Sequence, residues 1–268
     1  MDGQRQHEIY DLDVLLPVSA NGKYAERMKA FQRFGLLNNS RASIRITLLI
    51  GTEDAELFAE GWHCPVRMVS SQHHHPAAKI YDFYARADAE EADMARWLIR
   101  VDDDSVTDVD GLIQWLDACY DWRECHYLMT GVVFDCHPVY REALANLGYD
   151  HLLRPSVVGS GAHEFESALL SQTMMRRILR HPDSRRLFAA CAEFEGGYGD
   201  HVLPIAARIV GFTPAQSEVL WCYPELGKFS IFGGDFYHIH FLAPDLDRWS
   251  DFVNLCGLYG FQKHEAEH

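Results

Sequence analysis

Asp102, Asp103 and Asp104 follow directly on the apolar run Trp97-Leu98-Ile99-Arg100-Val101. An aliphatic strand that runs into three consecutive carboxylates does not fit a core interior, because unpaired buried charges are very costly. It fits the end of a buried strand that opens onto a divalent cation. In extended geometry side chains two apart share a face, so Asp102 and Asp104 are expected to point one way and Asp103 the other. Hard oxygen ligands suit Mg²⁺ or Mn²⁺, ions that reach a protein through one or two carboxylates plus substrate phosphates. A plainer reading stands beside it. Asp108-Val109-Asp110-Gly111 follows, acidic residues favour helix starts, and the triplet can be a solvated turn ahead of one.

The pattern upstream supplies a context for such a strand end. Asp13 to Val18 reads as a short buried strand ending in the turn Ser19-Ala20-Asn21-Gly22, and Tyr24 to Leu37 has helical spacing. Ile44 to Ile50 is a second strand, Asp54 to Glu60 a short helix, and Val66 to Val69 a third strand. Ala77 to Ala95 is expected to be helical, and Trp97 to Val101 delivers the aspartates. Alternation of this kind predicts an α/β fold around a mixed, mostly parallel central sheet. Ligands of such folds gather beyond the carboxyl ends of the strands, where the aspartates fall. The second half is less regular. Gly111 to Tyr120, Val139 to Leu147 and Thr173 to Arg180 read as helices, and Tyr127 to Phe134 and Glu164 to Leu170 as strands. The helix before Gly211 must start near Asp200, because Pro204 is tolerated only in a first turn.

Composition narrows the partners. The 268 residues carry a formal net charge of −15, which argues against a nucleic-acid backbone or an anionic membrane as the main partner. A phosphorylated ligand is not disfavoured, since a metal can supply the positive charge. Met1 to His7 has no apolar segment of signal-peptide character, and no stretch approaches transmembrane length. The seven cysteines are scattered singly with no CxxC pair. Reduced thiols in a cytoplasmic protein fit that pattern better than disulfides or a zinc site. Nothing reads as a linker or repeat, so a single domain is expected.

Other motifs are individually weaker. His238 and His240 share one face of an expected strand in Phe236-Tyr237-His238-Ile239-His240, so one imidazole can ligate a metal and the other support it. An aromatic edge strand with two ordinary histidines explains the same residues. Asp200, after Gly196-Gly197-Tyr198-Gly199, stands at an N-cap position and can also face a cleft as a general base. The glycine turn Val158-Gly159-Ser160-Gly161-Ala162 is either a plain turn or a close backbone approach to a ligand. His73-His74-His75 reads as a solvated loop. The dinucleotide fingerprint, the P-loop and the G-x-S-x-G elbow are absent, which discounts nicotinamide-dependent dehydrogenases, P-loop kinases and α/β-hydrolases.

Taken in order, these motifs resemble the Fringe-like glycosyltransferases, which are inverting enzymes of the GT-A fold that use a nucleotide sugar and Mn²⁺. Members of that family carry Asp-Asp-Asp after an apolar strand, a small-residue glycine turn, an acidic segment opening a helix, and a His-x-His near the end. The resemblance spans about residues 13 to 242. It implies a single GT-A domain over 1–268, with a nucleotide-binding half at about 10–110 and an acceptor-side half at about 111–245. It implies that Asp104 and His240 bind Mn²⁺ (or Mg²⁺), that Asp102 also touches the ion, and that Asp102 and Asp103 contact the ribose or donor sugar. Ser19, Asn21 and Lys23 would hold the nucleotide, Gly161 and Ala162 would line the donor-sugar pocket, and Asp200 would be the base. The expected partners are a UDP-sugar donor and a glycan or other hydroxyl acceptor. Two alternatives carry different chemistry: a metal-dependent phosphohydrolase or nucleotidyltransferase, and a non-catalytic nucleotide-binding relative.

Overall fold

A computed structural model of the chain describes residues 9–19, 23–37, 39–51, 60–89, 94–103, 105–129, 138–153, 168–193, 202–216, 220–222 and 238–240. Its centre is made by strands β1 (Leu12–Pro17), β3 (Ile44–Gly51) and β5 (Trp97–Arg100), all parallel, with Val14 opposite Ile46 on one side and Ile99 on the other. Every residue of these three strands is buried, as expected of parallel strands covered on both faces. Pro17, the last residue of β1, lies beyond the paired stretch with β5, which ends at Leu15 opposite Arg100, so its missing amide hydrogen leaves no ladder bond to β5 unmade.

β4 (Val66–Ser71) pairs parallel to β3 and forms one edge. On the other side β8 (Ala168–Ser171) runs antiparallel to β5 and to β7 (Tyr127–Met129), and β9 (Ala215–Gln216) follows parallel to β7. The order is β4-β3-β1-β5-β8-β7-β9, a mixed and mostly parallel sheet in an α/β fold.

Two helical layers cover it. Leu12, Val14, Leu16, Ile46, Leu48, Trp97 and Ile99 meet Met28 and Phe31 of α1 (Lys23–Phe34) and Leu112 and Leu116 of α3 (Val109–Cys119). The alternate residues Leu15, Leu49, Leu98 and Leu170 meet α2 (Pro76–Arg86), α4 (Pro138–Leu147), α5 (Gln172–Arg180), α6 (Pro182–Ala192) and α7 (Val202–Ile209). Pro204 stands in the first turn of α7, as expected.

A second sheet is assembled from short pieces: β10 (Leu220–Cys222), β11 (His238–His240), β6 (Ser105–Asp108) and β2 (Leu36–Leu37), in that order. Two helices are shorter than periodicity predicts. α1 stops at Phe34 instead of continuing to Leu37. Gly35 donates its amide to the Phe31 carbonyl, and a Cβ at Gly35 would lie 2.4 Å from the Phe31 ring, so the tight exit to β2 requires glycine. α2 stops at Arg86 instead of Ala95, where Asp88, Glu90, Glu91 and Asp93 would stand against the negative end of a helix dipole. The short helix expected over 54–60 and the strand residues expected at 130–134 and 164–167 lie outside the described residues, apart from Glu60, which is in a bend.

Candidate functional site

Because β1, β3 and β5 are parallel, their carboxyl ends open on the same side of the molecule. At the end of β1 the Val18 amide donates to the Leu49 carbonyl at 2.9 Å, and Ser19 follows, 7% exposed. At the end of β5 the Val101 amide donates to the Leu15 carbonyl at 3.0 Å. The chain then turns. Asp102 accepts through its backbone carbonyl from the Ser105 amide at 3.2 Å and from the Ser105 hydroxyl at 2.7 Å. That hydrogen bond between residues 102 and 105 reverses the chain just beyond β5.

Each of the first two carboxylates is held by an arginine. Asp102 Oδ1 accepts from Arg100 Nη2 at 2.8 Å, and the Arg100 side chain is 6% exposed. Asp103 Oδ1 lies 3.4 Å from Arg27 Nη1 of α1. Asp102 therefore faces the α2 side of the sheet and Asp103 the α1 side, the opposite orientations predicted for neighbours. Asp103 is buried, contrary to the view of the triplet as wholly solvated, and its charge is tolerated there because a guanidinium accompanies it.

From the turn the chain enters β6, a strand not anticipated because Asp108 resembled a helix start. Asp108 is both: it ends β6, and its carboxylate accepts from the Gly111 amide at 3.1 Å as the N-cap of α3. β6 pairs antiparallel with β11, and the register sets His240 opposite Ser105, with Ile239 opposite Val106 and His238 opposite Thr107. Two segments 135 positions apart, 105 and 240, thus meet beside the aspartate turn.

Two basic residues at this end of the sheet escaped the sequence reading. Lys79 of α2 is 1% exposed, and its Nζ donates to the Val18 carbonyl at 2.5 Å. Arg27 stands one helical turn from the start of α1 at Lys23. A signal existed for Lys79: a lone charge in the apolar stripe that includes Ile80 and Phe83. The backbone of Lys23 begins α1, as a residue following the first turn should. Asn21, Asp104, Gly161, Ala162 and Asp200 lie outside the described residues, as do the side chains of Lys23, His238 and His240.

Among the described residues no three His, Cys, Asp or Glu side chains converge as a metal requires. The donor set proposed from the sequence draws Asp104 and the His240 imidazole from outside those residues. What is described is compatible with a hard cation: a half-buried carboxylate, Asp102, in a turn that the His240 backbone adjoins. Other acidic and histidine motifs have local structural work. Asp110 accepts from the Ser40, Arg41 and Ala42 amides, and His75 Nδ1 accepts from the Ala77 amide as the N-cap of α2, with His73 and His74 in the preceding loop. Cys64, Cys119 and Cys125 are free thiols, and burial pushes Cys64 up to about 11.

No family model matches the chain, and no curated protein matches it significantly. Solved structures with a similar chain path include galactosyltransferase LgtC in complex with donor and acceptor sugar analogs, at 13% identity and a TM-score of 0.48, covering 92% of this chain and 95% of that one. Another is mouse xyloside xylosyltransferase 1 in its apo form, at 13% identity and a TM-score of 0.46, covering 87% and 97%. Among the described residues no helix is long and apolar enough to cross a membrane.

Proposed function

We propose that this chain is a metal-dependent glycosyltransferase that moves a sugar from UDP to an acceptor hydroxyl with inversion. The observation that carries the reading is the β6–β11 register, which sets the His240 backbone opposite Ser105, next to Asp102 and Asp103 at the carboxyl end of the parallel strands. Ligands of α/β sheets bind at that end. The order and spacing of the aspartate triplet, the glycine turn, the acidic helix start and the His-x-His, which resemble the Fringe-like enzymes, support the same assignment.

In this reading Asp102, Asp104 and His240 hold Mn²⁺ or Mg²⁺, which when bound neutralises the charge gathering on the diphosphate leaving group. Ser19, Asn21 and Lys23, around the exit of β1, hold the nucleotide. Asp102 and Asp103 stand on the ribose and donor-sugar side, and Gly161 and Ala162 line the sugar pocket. Asp200, two positions ahead of α7, accepts the acceptor's hydroxyl proton as that oxygen attacks the anomeric carbon. A positioned carboxylate contributes about 10²–10⁴-fold to such a step. Attack opposite the leaving group inverts the anomeric configuration.

Calorimetric titration with UDP in the presence of Mn²⁺, then of EDTA, tests the assignment on the wild type and on Asp104→Ala. Binding that needs Mn²⁺ and disappears in Asp104→Ala is the expected result, and the absence of UDP binding with any divalent ion would overturn the UDP-dependent form. Hydrolysis of nucleotide linkages with no sugar transfer would favour a phosphohydrolase instead.

A further inference from the structure

The contact between Arg27 and Asp103 joins two parts of the site that are 76 residues apart in sequence. Arg27 lies on α1, the helix that leaves the turn after β1, and its side chain is 14% exposed. Asp103 is the second residue of the turn after β5, and its side chain is 8% exposed. α1 packs on the sheet through Met28 and Phe31, so the helix that presents the guanidinium is itself anchored. The Asp103 carboxylate therefore has its direction set from the α1 side, while Arg100 holds Asp102 from the α2 side.

We propose that Arg27 is a positioning residue of the nucleotide site. It acts through Asp103, fixing the aspartate turn in the conformation that receives the metal-bound diphosphate and coupling that turn to the first turn of α1. This rests on the functional reading above for its ligand but not for its structural part. Two properties distinguish the role from surface pairing. Both partners are largely out of water, where an ion pair is directional and poorly screened. The guanidinium is also planar and forked, so lysine reproduces its charge but not its geometry. Supporting groups of this kind, behind the groups that meet a metal or ligand, change affinity by roughly 10–100-fold when removed.

The test uses the full chain with Arg27→Met, Arg27→Lys, Asp103→Asn, the Arg27→Met/Asp103→Asn pair, and Arg33→Met on the exposed last turn of α1 as control. Hydrogen exchange of the ligand-free proteins is the first arm. Amides 101–106 are expected to exchange about tenfold faster or more in Arg27→Met and Asp103→Asn, with those of α5 and α6 unchanged and the control like wild type. The second arm is titration with UDP and Mn²⁺. Arg27→Met is expected to weaken binding about tenfold, Arg27→Lys by less, and Arg27→Met to add nothing once Asp103 is already Asn. Unchanged exchange in the turn of Arg27→Met would overturn the proposal. So would a further tenfold loss on adding Arg27→Met to Asp103→Asn, which would mean that Arg27 acts independently of Asp103. If Arg27→Met does not fold, Arg27→Lys and Asp103→Asn carry the same comparison. A wild type that binds no UDP removes the glycosyltransferase reading, and the exchange arm still decides the role of Arg27.

Discussion

The two sheets of this protein are built on opposite plans. The large one rests on β1, β3 and β5, whose residues are buried along their whole length and whose pairing is regular over four to six positions. The small one joins strands of two to four residues drawn from positions 36–37, 105–108, 220–222 and 238–240. Both apolar core clusters among the described residues pack against the large sheet, which anchors most of their stabilisation. The small sheet brings distant residues to the end of β5. Stability and convergence of the site are therefore borne by different strands, and changes in the two sheets should have separable effects.

The largest effect is expected inside the large sheet, at its buried ion pair. Asp13 accepts from Arg45 Nη2 at 2.6 Å and from the Thr47 hydroxyl at 2.7 Å, with both charged side chains about one-twentieth exposed. Asp13→Ala removes the carboxylate and leaves the Arg45 charge in the core, a change that costs about 3–5 kcal/mol. Urea denaturation should show that loss, with UDP affinity intact in the fraction that stays folded.

The small sheet should behave in the reverse manner. Thr107 donates its amide to the Gly35 carbonyl at 2.8 Å, joining β6 to β2, and proline there removes the donor from an interior strand. Thr107→Pro is expected to shift the urea midpoint less than Asp13→Ala while lowering affinity for UDP with Mn²⁺ at least tenfold. Equal damage to stability from both variants would erase the distinction between the sheets.

Asp110 stands at the joint. It lies in the first turn of α3, which follows β6, and its carboxylate receives the amides of residues 40–42 on the path from β2 to β3. Asp110→Ala should cost about 1–2 kcal/mol in the same denaturation experiment and loosen the turn at 40–42 in hydrogen exchange. The smallest effect sharpens the picture of the packed side. With its thiol pushed up to about 11 by burial, Cys64 should remain almost wholly protonated at pH 8 and resist iodoacetamide, whereas exposed Cys119 is alkylated first. Peptide mapping reads the order directly. Ionising Cys64 favours the unfolded chain, so above the ordinary thiol pKa this group lowers stability as pH rises.

The same division explains what was legible in the sequence. Long apolar strands and amphipathic helices announce themselves, and β1, β3, β5, α3, α4 and α5 fall close to where periodicity sets them. β2 and β6 do not. Two leucines at the end of a helical pattern look like its last turn, and Ser-Val-Thr-Asp is too short and polar to separate from a helix cap. α6, with its N-terminal Pro182, was also not anticipated. For the site, consecutive aspartates after a strand were the signal, and Asp102 and Asp103 stand just beyond the end of β5. Their partners were hidden, because arginine on a helix reads as solvated surface until the fold turns that face inward. Arg27 is such a residue, and the same holds for Lys79, a helix lysine turned onto the Val18 carbonyl, and for Asp13, a charge inside a strand that is otherwise apolar.

The central claim is that residues 104 and 240 serve one cation site. Mn²⁺ binding, read from the electron paramagnetic resonance signal of the free ion, tests it in the wild type, Asp104→Ala, His240→Ala and the double variant. The account predicts that each single change weakens Mn²⁺ binding by an order of magnitude or more, and that the double change weakens it by less than the product of the two. His240→Ala binding Mn²⁺ as well as the wild type would contradict it.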